Sequence, residues 1–212
     1  MIGAGSRSGL DESFGTVLRI TAENERRISI MKFPERKIIL KDGRTCILRP
    51  NGPDLASEMI RYLKVTSGET EFLLRYPDEV QYTLENEQEI LGRILENPGH
   101  AMMAAIVDGK VAGNGAFNGI GDKRKILHRC SLAIALYKEY WDLGIGTAMI
   151  GYLTELARQA GFEQMDLEVV AENEQAQALY RKCGFIESGR RFHALKFDDG
   201  SYHDEILMYK KL

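Results

Sequence analysis

The chain has 212 residues, of which 44% are hydrophobic and 28% are charged, and its formal net charge is −3. These values are typical of one α/β domain with an extension, and the slightly acidic balance gives no reason to expect a nucleic-acid partner. No apolar run approaches the roughly 20 residues that span a bilayer, so we expect no membrane partner either.

The cysteines are three in number and widely spaced, at Cys46, Cys130 and Cys183. An odd, scattered set is typical of reduced thiols rather than of a disulfide framework, so we expect a cytoplasmic protein. The four histidines form no metal-ligand spacing with them, and we therefore expect no metal site.

Residues 1–36 are polar and show little periodicity, so we predict an N-terminal extension ahead of a domain that covers residues 37–212. The letters "ERRISIM" could be encoded by a purine-rich run of the kind that precedes a bacterial start codon. We therefore hypothesise that Met31 is the natural start and that residues 1–30 are not native. The rival interpretation is a helical arm, since Ile20, Ile28 and Met31 share one side of a helix drawn on "ITAENERRISIM".

From Lys37 onward the pattern becomes regular. Two short β-runs surround Asp42-Gly43 and predict a hairpin over residues 37–50. Apolar residues at helical spacing then predict a helix over residues 55–66, with Asp54 as its N-cap, and a second helix over residues 83–97.

After these helices the apolar period changes to two, which predicts strands. A hairpin over residues 101–120 turns on Asp108-Gly109, and a third strand covers residues 124–136 with Ile126 and His128 on its apolar face. The remaining predicted elements are a helix over 147–162, a strand over 164–170, a helix over 174–183 and two strands over 190–197 and 202–212. This order predicts an α/β fold in which helices cover both faces of a mixed sheet.

The stretch "YWDLGIGTAMI", residues 140–150, joins the third strand to the next helix through Gly144 and Gly146. Free N–H groups and the positive end of the helix dipole meet at such a point, and glycine removes the side chains that would hold a ligand away, so the stretch suits a pyrophosphate. The alternative is a tight turn that binds nothing. The stretch lacks the third glycine of a dinucleotide-binding fingerprint, and no P-loop lysine follows it, which argues against a nucleotide-binding protein.

A second motif follows in "LEVVAENEQAQALYRKCGF", residues 167–185, which contains Asn-x-x-Ala-x-x-Leu-Tyr and a closing Cys-Gly-Phe. Together with the glycine stretch, in this order and at this spacing, it resembles the GNAT family of acetyl-CoA-dependent N-acetyltransferases. The resemblance extends over residues 37–211 and is densest over 132–185. It implies a central, mostly antiparallel sheet between helices, and direct transfer of an acetyl group from acetyl-CoA to a primary amine.

The resemblance also implies the residues that bind the cofactor. The family pattern is Gln/Arg-x-x-Gly-x-Gly/Ala, and Trp141 stands here at the Gln/Arg position, which leaves the backbone contacts intact. The strand before the glycines would offer its backbone to the pantetheine arm, and Asn173 would contact the same arm or cap the following helix, or do both. The implied set is Ile134, Ala135, Leu136, Trp141, Asp142, Leu143, Gly144, Ile145, Gly146, Thr147, Asn173 and Tyr180.

Two residues are the catalytic candidates. The resemblance implies that Tyr180 is the acid that protonates the departing thiolate of coenzyme A; the alternative is a tyrosine that packs in the core. Glu168, twelve residues earlier, matches a glutamate of the similar ribosomal-protein alanine acetyltransferases and is the candidate base; the alternatives are a solvated strand residue and a chain of waters. His128 and Cys183 are interpreted as packed side chains.

The acceptor amine is left open by the sequence. Residues 69–96 carry eight acidic residues against two arginines, which would attract a cationic amine or simply form a solvated helix face. The C-terminal "LKFDDGSYHDEILMYKKL" is similar to the end of spermidine acetyltransferases, so small polyamines and protein N-termini both remain candidates. The alternative function is a catalytically silent acyl-CoA sensor, and a homodimer is possible.

Overall fold

The structure is a computed structural model that describes residues 33–97 and 99–212. The hypotheses about residues 1–30 and the start at Met31 lie outside the described residues. The strands are β1 (Arg36–Ile39), β2 (Thr45–Pro50), β3 (His100–Val107), β4 (Lys110–Gly119), β5 (Arg129–Leu136), β6 (Gln164–Val170), β7 (Ile186–Lys196) and β8 (Tyr202–Lys211). The α-helices are α1 (Ala56–Glu69), α2 (Leu84–Glu96), α3 (Ile145–Gln159) and α4 (Glu174–Lys182).

The strands form one sheet in the order β1-β2-β3-β4-β5-β6-β8-β7, in which only the β5–β6 pair is parallel. Helices α3 and α4 pack on one face of this sheet, and α1 and α2 pack on the other. The alternating apolar residues of the central strands supply one buried layer to each face. The predicted fold class, a mostly antiparallel sheet between helices, is confirmed.

The pairing of β5 with β6 is short, and this positions the site. The two strands pair only from Arg129–Ser131 to Gln164–Asp166. Beyond that point β5 continues beside β4, and β6 continues beside β8, so the two strands no longer share a ladder. The opening between their carboxyl ends, called here the β5–β6 gap, leaves one edge of β5 without a neighbouring strand.

Two local predictions are wrong. The third strand begins at Arg129 and not at residue 124, because the amides of Ile126 and Leu127 bond to the carbonyl of Lys123 and form a turn. His128 therefore does not belong to the strand. Asp54 is not the N-cap of α1; its carboxylate pairs with Arg49 at 2.7 Å, and the helix follows a 3-10 turn over Pro53–Leu55.

Residues just ahead of the predicted domain boundary pack against α3. Phe33 is buried, and its ring meets that of Tyr152 edge to face, with 5.4 Å between centroids. The Tyr152 hydroxyl donates to the carbonyl of Pro34 at 2.7 Å, and Arg36 pairs with Glu155 at 2.6 Å. The packed part of the chain therefore begins before residue 37.

Candidate active site

A cavity of about 380 Å³ lies at the β5–β6 gap. Its walls come from the end of β5, the start of α3, the buried side of α4 and the end of α1 together with the residues that follow it. It brings together every predicted site residue except Leu143 and Glu168. Those that line it are Ile134, Ala135, Leu136, Trp141, Asp142, Gly144, Ile145, Gly146, Thr147, Asn173 and Tyr180.

The glycine stretch forms the start of α3 and leaves backbone amides free there. Gly144 is the N-cap residue, with φ of +96°, a left-handed conformation that favours glycine. The first amide bonded within the helix is that of Ala148, which donates to the carbonyl of Gly144 at 3.1 Å. The amides of Ile145, Gly146 and Thr147 therefore have no acceptor within the helix, and they face the cavity at the positive end of the helix dipole.

Gly146 has no side chain at a point where α3 and α4 lie close together. A Cβ at this position would lie 3.0 Å from Cδ2 of Leu179 on α4, which is closer than an ordinary contact. The glycine thus allows α3 and α4 to approach each other beside the free amides. Leu143 does not line the cavity; its carbonyl accepts from the amide of Lys41 at 3.2 Å, and its side chain packs against the core.

Trp141 fixes the turn between β5 and α3. Its indole N–H donates to the carbonyl of Leu136 at 3.0 Å. The bond ties the last residue of β5 to the residue that stands where the family pattern has Gln or Arg. The departure from the pattern therefore has a structural role, and it leaves the amides of α3 free.

Asn173 caps α4, as one of the two interpretations predicts. Its side-chain oxygen accepts from the amide of Ala176 at 3.1 Å, which satisfies a free donor of the helix start. The same side chain lines the cavity. Its NH₂ group has no acceptor in the described part of the chain, so a ligand contact is compatible with the cap.

Tyr180 lies on the cavity wall contributed by α4. The residue is 8% exposed, and its ring meets that of Phe185 edge to face at 5.9 Å. Within residues 33–97 and 99–212 its hydroxyl has no hydrogen-bond partner. Burial raises the pKa of Tyr180 from 10.0 to about 12, so the phenol keeps its proton at neutral pH.

A model of the acetyltransferase (GNAT) family matches residues 64–185, more than half of the chain. This chain belongs to the GNAT acetyltransferase family. The matched residues include the end of β5, the free amides of α3, and Tyr180, which are the parts that form the cavity.

Three solved structures illustrate the likeness. An acetyltransferase of the GNAT family from Streptococcus pneumoniae is 26% identical, with a TM-score of 0.75 over 79% of this chain and 99% of that chain. RimL, a ribosomal α-N-protein acetyltransferase in complex with coenzyme A, is 18% identical, with a TM-score of 0.66 over 79% and 94%. A chimera of the spermidine N-acetyltransferase SpeG from Vibrio cholerae and hSSAT is 19% identical, with a TM-score of 0.63 over 78% and 95%. The predicted resemblance to ribosomal-protein and spermidine acetyltransferases is confirmed.

Glu168 lies outside the cavity of this GNAT domain. Its neighbours on β6, Leu167 and Val169, are buried beneath α3 and α4, so Glu168 points to the opposite face of the sheet. There its carboxylate accepts from Arg191 at 2.7 Å, and Arg191 also bonds to Glu205 at 2.6 Å. The side chain of Glu168 is 52% exposed, and its role as a base stays a prediction.

Sequence reasoning missed several residues of the cavity wall. Lys41 and Lys182 line it and bring positive charge to a site that suits phosphates. Lys182 lies two residues after Tyr180, in the last turn of α4, and this spacing could have identified it. Lys41 comes from the β1–β2 hairpin, about a hundred residues away along the chain, and no local pattern indicates it. The end of α1 and the segment after it add Thr66, Thr70, Phe72 and Leu73.

No group of three or more His, Cys, Asp or Glu side chains suitable for a metal occurs among the described residues. No helix there has the length and apolar character needed to cross a membrane. The three cysteines are free thiols, and burial raises the pKa of Cys46 to about 11 and that of Cys130 to about 12.

Proposed function

We propose that this GNAT domain is an N-acetyltransferase that moves an acetyl group from acetyl-CoA to a primary amine by direct attack, without an acyl-enzyme. The proposal rests on the continuity of one cavity. It joins the free amides at the start of α3, the open edge of β5 and the hydroxyl-bearing wall at Tyr180. These parts suit, in this order, a pyrophosphate, a pantetheine arm and a thioester.

The residues present fit such a cofactor. Amides of residues 145–147 offer donors to a pyrophosphate, and Lys41 and Lys182 add charge attraction. The edge of β5 facing the gap offers peptide groups to the arm in the way that an added strand would use them. Asn173 keeps a free NH₂ group beside the same path.

Acetyl-CoA supplies the acetyl group as a thioester, whose carbonyl carbon the amine attacks. An alkyl ammonium has a pKa near ~10.4, so only about one molecule in a thousand is the reactive free amine near neutral pH. The C–S bond breaks as the new C–N bond forms, and the departing sulfur takes a proton. Tyr180 is placed on the cavity wall with its proton in place, and we assign it the role of that acid.

The proton lost by the amine needs an acceptor. Glu168 is the proposed base, and it lies on the sheet face opposite to α4, where β6 borders the gap. Arg191 holds one of its carboxylate oxygens, so the second oxygen is the one available to the amine or to an intervening water. The alternative is that a chain of water molecules carries this proton away.

We propose a small polyamine or a protein N-terminus as the acceptor, the two candidates that the sequence leaves open. Several carboxylates that could attract a cation are already engaged: Glu69 accepts from the amide of Lys138 at 3.0 Å, and Glu79 accepts from the amide of Tyr76 at 2.7 Å. Glu71 and Asp78 are exposed in the residues after α1, and their carboxylates accept no hydrogen bond from any described residue. The loop also contacts the β7–β8 turn, because the amide of Asp198 donates to the Tyr76 hydroxyl at 3.0 Å.

An amine panel tests the function. Purified protein is incubated with acetyl-CoA and with polyamines, aminoglycosides or N-terminal peptides in turn, and the release of free thiol is measured. We expect thiol release with at least one class and none without an amine. Binding of acetyl-CoA with no turnover on any amine would favour the silent sensor. Binding of NAD or adenine nucleotides, with no binding of acetyl-CoA, would exclude the proposal.

A further inference from the structure

Tyr62, on α1, places its hydroxyl group between two neighbouring strands of the sheet. The residue is 2% exposed. Its hydroxyl donates to the carbonyl of Ala135 on β5 at 2.7 Å and accepts from the amide of Asn114 on β4 at 3.2 Å. A side chain from α1, on the sheet face opposite to α3 and α4, thus bridges two strands, and one of the two bonded residues, Ala135, lines the cavity.

The position of this bridge in the ladder shows which way β5 faces. Asn114 and Ala135 are opposite each other in the β4–β5 register, and the phenol oxygen bonds to both of them. Two residues further along, the amide of Tyr137 bonds directly to the carbonyl of Ala112 at 3.1 Å. Ala135 and Tyr137 therefore direct their peptide groups towards β4. Because peptide groups alternate along a strand, those of Ile134 and Leu136 point to the β5–β6 gap.

The bond to Tyr62 sets the orientation of one peptide in particular. A trans peptide is planar, and its C=O and N–H point in opposite directions. While Tyr62 holds the carbonyl of Ala135 towards β4, the N–H of Leu136 points into the gap, where β6 offers no ladder partner. The carbonyl of Leu136 is held in turn by Trp141 at 3.0 Å. That carbonyl belongs to the next peptide, 136–137. The N–H of Leu136 is thus a free donor on a peptide that Tyr62 holds, next to a second peptide that Trp141 holds.

We propose that Tyr62 is a positioning residue, whose hydroxyl fixes the 135–136 peptide so that the N–H of Leu136 is presented to acyl-CoA in the cavity. This inference rests on the proposed function. Tyr62 touches neither the cavity nor the reacting atoms and acts through Ala135. Burial raises the pKa of Tyr62, so its hydroxyl keeps its proton and donates at any working pH.

The bridge also connects helix α1 to strand β5. Thr66, one turn after Tyr62 on α1, lines the cavity, and its hydroxyl donates to the carbonyl of Tyr62 at 2.7 Å. The ring of Tyr62 meets that of Tyr137 edge to face at 5.2 Å. Helix α1 and strand β5, which both contribute to the cavity wall, are therefore tied to each other.

The alternative is a core tyrosine that contributes only stability, and the chain contains a matched example. Tyr152 on α3 is 4% exposed, and its hydroxyl also donates to a backbone carbonyl, that of Pro34, at 2.7 Å. Neither Tyr152 nor Pro34 lines the cavity. Each substitution by phenylalanine removes a buried hydroxyl that donates to a carbonyl, and Tyr62→Phe also removes the bond from the amide of Asn114. Only Tyr62→Phe changes the wall of the site.

The test compares Tyr62→Phe with Tyr152→Phe in the full chain. Acetyl-CoA affinity is measured by calorimetry, and melting temperature and steady-state kinetics are measured alongside. We expect both variants to lower the melting temperature, Tyr62→Phe by more, because it leaves the carbonyl of Ala135 and the amide of Asn114 without their partner. Only Tyr62→Phe should raise the Kd and the KM for acetyl-CoA, by about three- to tenfold, the scale of one hydrogen bond. The KM for the amine should change less.

Three outcomes would overturn the inference. Unchanged affinity in Tyr62→Phe would reduce Tyr62 to a core residue, and equal weakening in both variants would indicate general loosening. If Tyr62→Phe does not fold, the NMR chemical shift of the Leu136 amide in the unchanged protein decides. It should change on addition of acetyl-CoA, and an unchanged chemical shift contradicts the proposal. An unchanged protein that binds no acetyl-CoA would remove the proposed function itself, which is a different failure from binding that is indifferent to Tyr62.

Discussion

The cofactor end and the acceptor end of the cavity are built from different kinds of group. At the cofactor end, the donors are backbone amides at the start of α3, shaped by Gly144 and Gly146. At the proposed acceptor end, the walls are side chains from α1 and the residues that follow it. A contact made by a backbone amide is kept when the side chain of that residue is replaced, whereas a contact made by the side chain is lost.

This difference explains how the chain departs from its family pattern without losing the site. Trp141 replaces the usual Gln or Arg, yet the amides of residues 145–147 stay free because they depend on helix geometry and not on side-chain identity. The acceptor end has no such protection. We therefore expect the cofactor to be shared across the family and the acceptor to depend on the particular chain.

The largest effect should come from Gly146→Asp. It puts a Cβ 3.0 Å from Leu179 and a carboxylate beside the amides that would bind phosphates. Acetyl-CoA should then no longer raise the melting temperature, a shift that arises by mass action in the parent. The matched control is Gly151→Asp on the same helix, at an exposed position with open space around its Cβ. A full thermal shift in a folded Gly146→Asp variant would remove the glycine turn from the binding site.

Tyr180→Phe comes next, and it separates chemistry from binding. Turnover should fall by roughly ten- to a thousandfold, the scale of lost general-acid help, while the Kd for acetyl-CoA and the melting temperature hardly change. The hydroxyl has no bond to lose among the described residues, and the ring packing against Phe185 is kept. Tyr152→Phe serves as the control, with unaltered turnover. Parental turnover in Tyr180→Phe would return this residue to the core.

A smaller effect is expected from Glu168→Gln on β6, outside the cavity. The rate should fall by roughly tenfold near neutral pH and recover as the pH rises, because the amine then loses its proton unaided. Glu205→Gln is the matched control, since both carboxylates bond to Arg191. If the two variants share one pH–rate profile, or if Glu168→Gln follows the parent, the base is not Glu168 and a water chain takes its place.

The smallest effect concerns alkaline pH. Burial raises the pKa of Tyr180 from 10.0 to about 12, so the acid stays protonated, and turnover should show no loss from this group up to about pH 10. The same shift links the free energy of unfolding to pH. Below pH 10.0, titration of Tyr180 does not change it. Between pH 10.0 and about 12 it falls, because Tyr180 releases its proton in the unfolded chain before it does so in the folded one. Melting curves against pH should therefore slope less steeply in Tyr180→Phe. Identical slopes would show that the phenol is solvated.

Much of this molecule is predictable from local pattern. The glycine stretch, the Asn173 cap and the two hairpin turns are signalled by residue types within a few positions, and the structure has them. The false start of the third strand shows the limit: Ile126 and His128 continue the alternation, but a turn with Lys123 satisfies the backbone first. Lys41 and Tyr62 reach the site only through the sheet order, which no short window of sequence contains.

The short pairing of β5 with β6 has a mechanical consequence. Three residue pairs are all that connect the strands β1–β5 to the strands β6, β8 and β7 within the sheet. The sheet thus consists of two half-sheets joined by this short β5–β6 pairing. The core beneath α3 and α4 packs across both of them on one face. A ligand seated in the cavity touches β5 and α3 on one side and α4, which follows β6 in the chain, on the other. Occupancy should therefore slow hydrogen exchange in β5, α3 and α4 together.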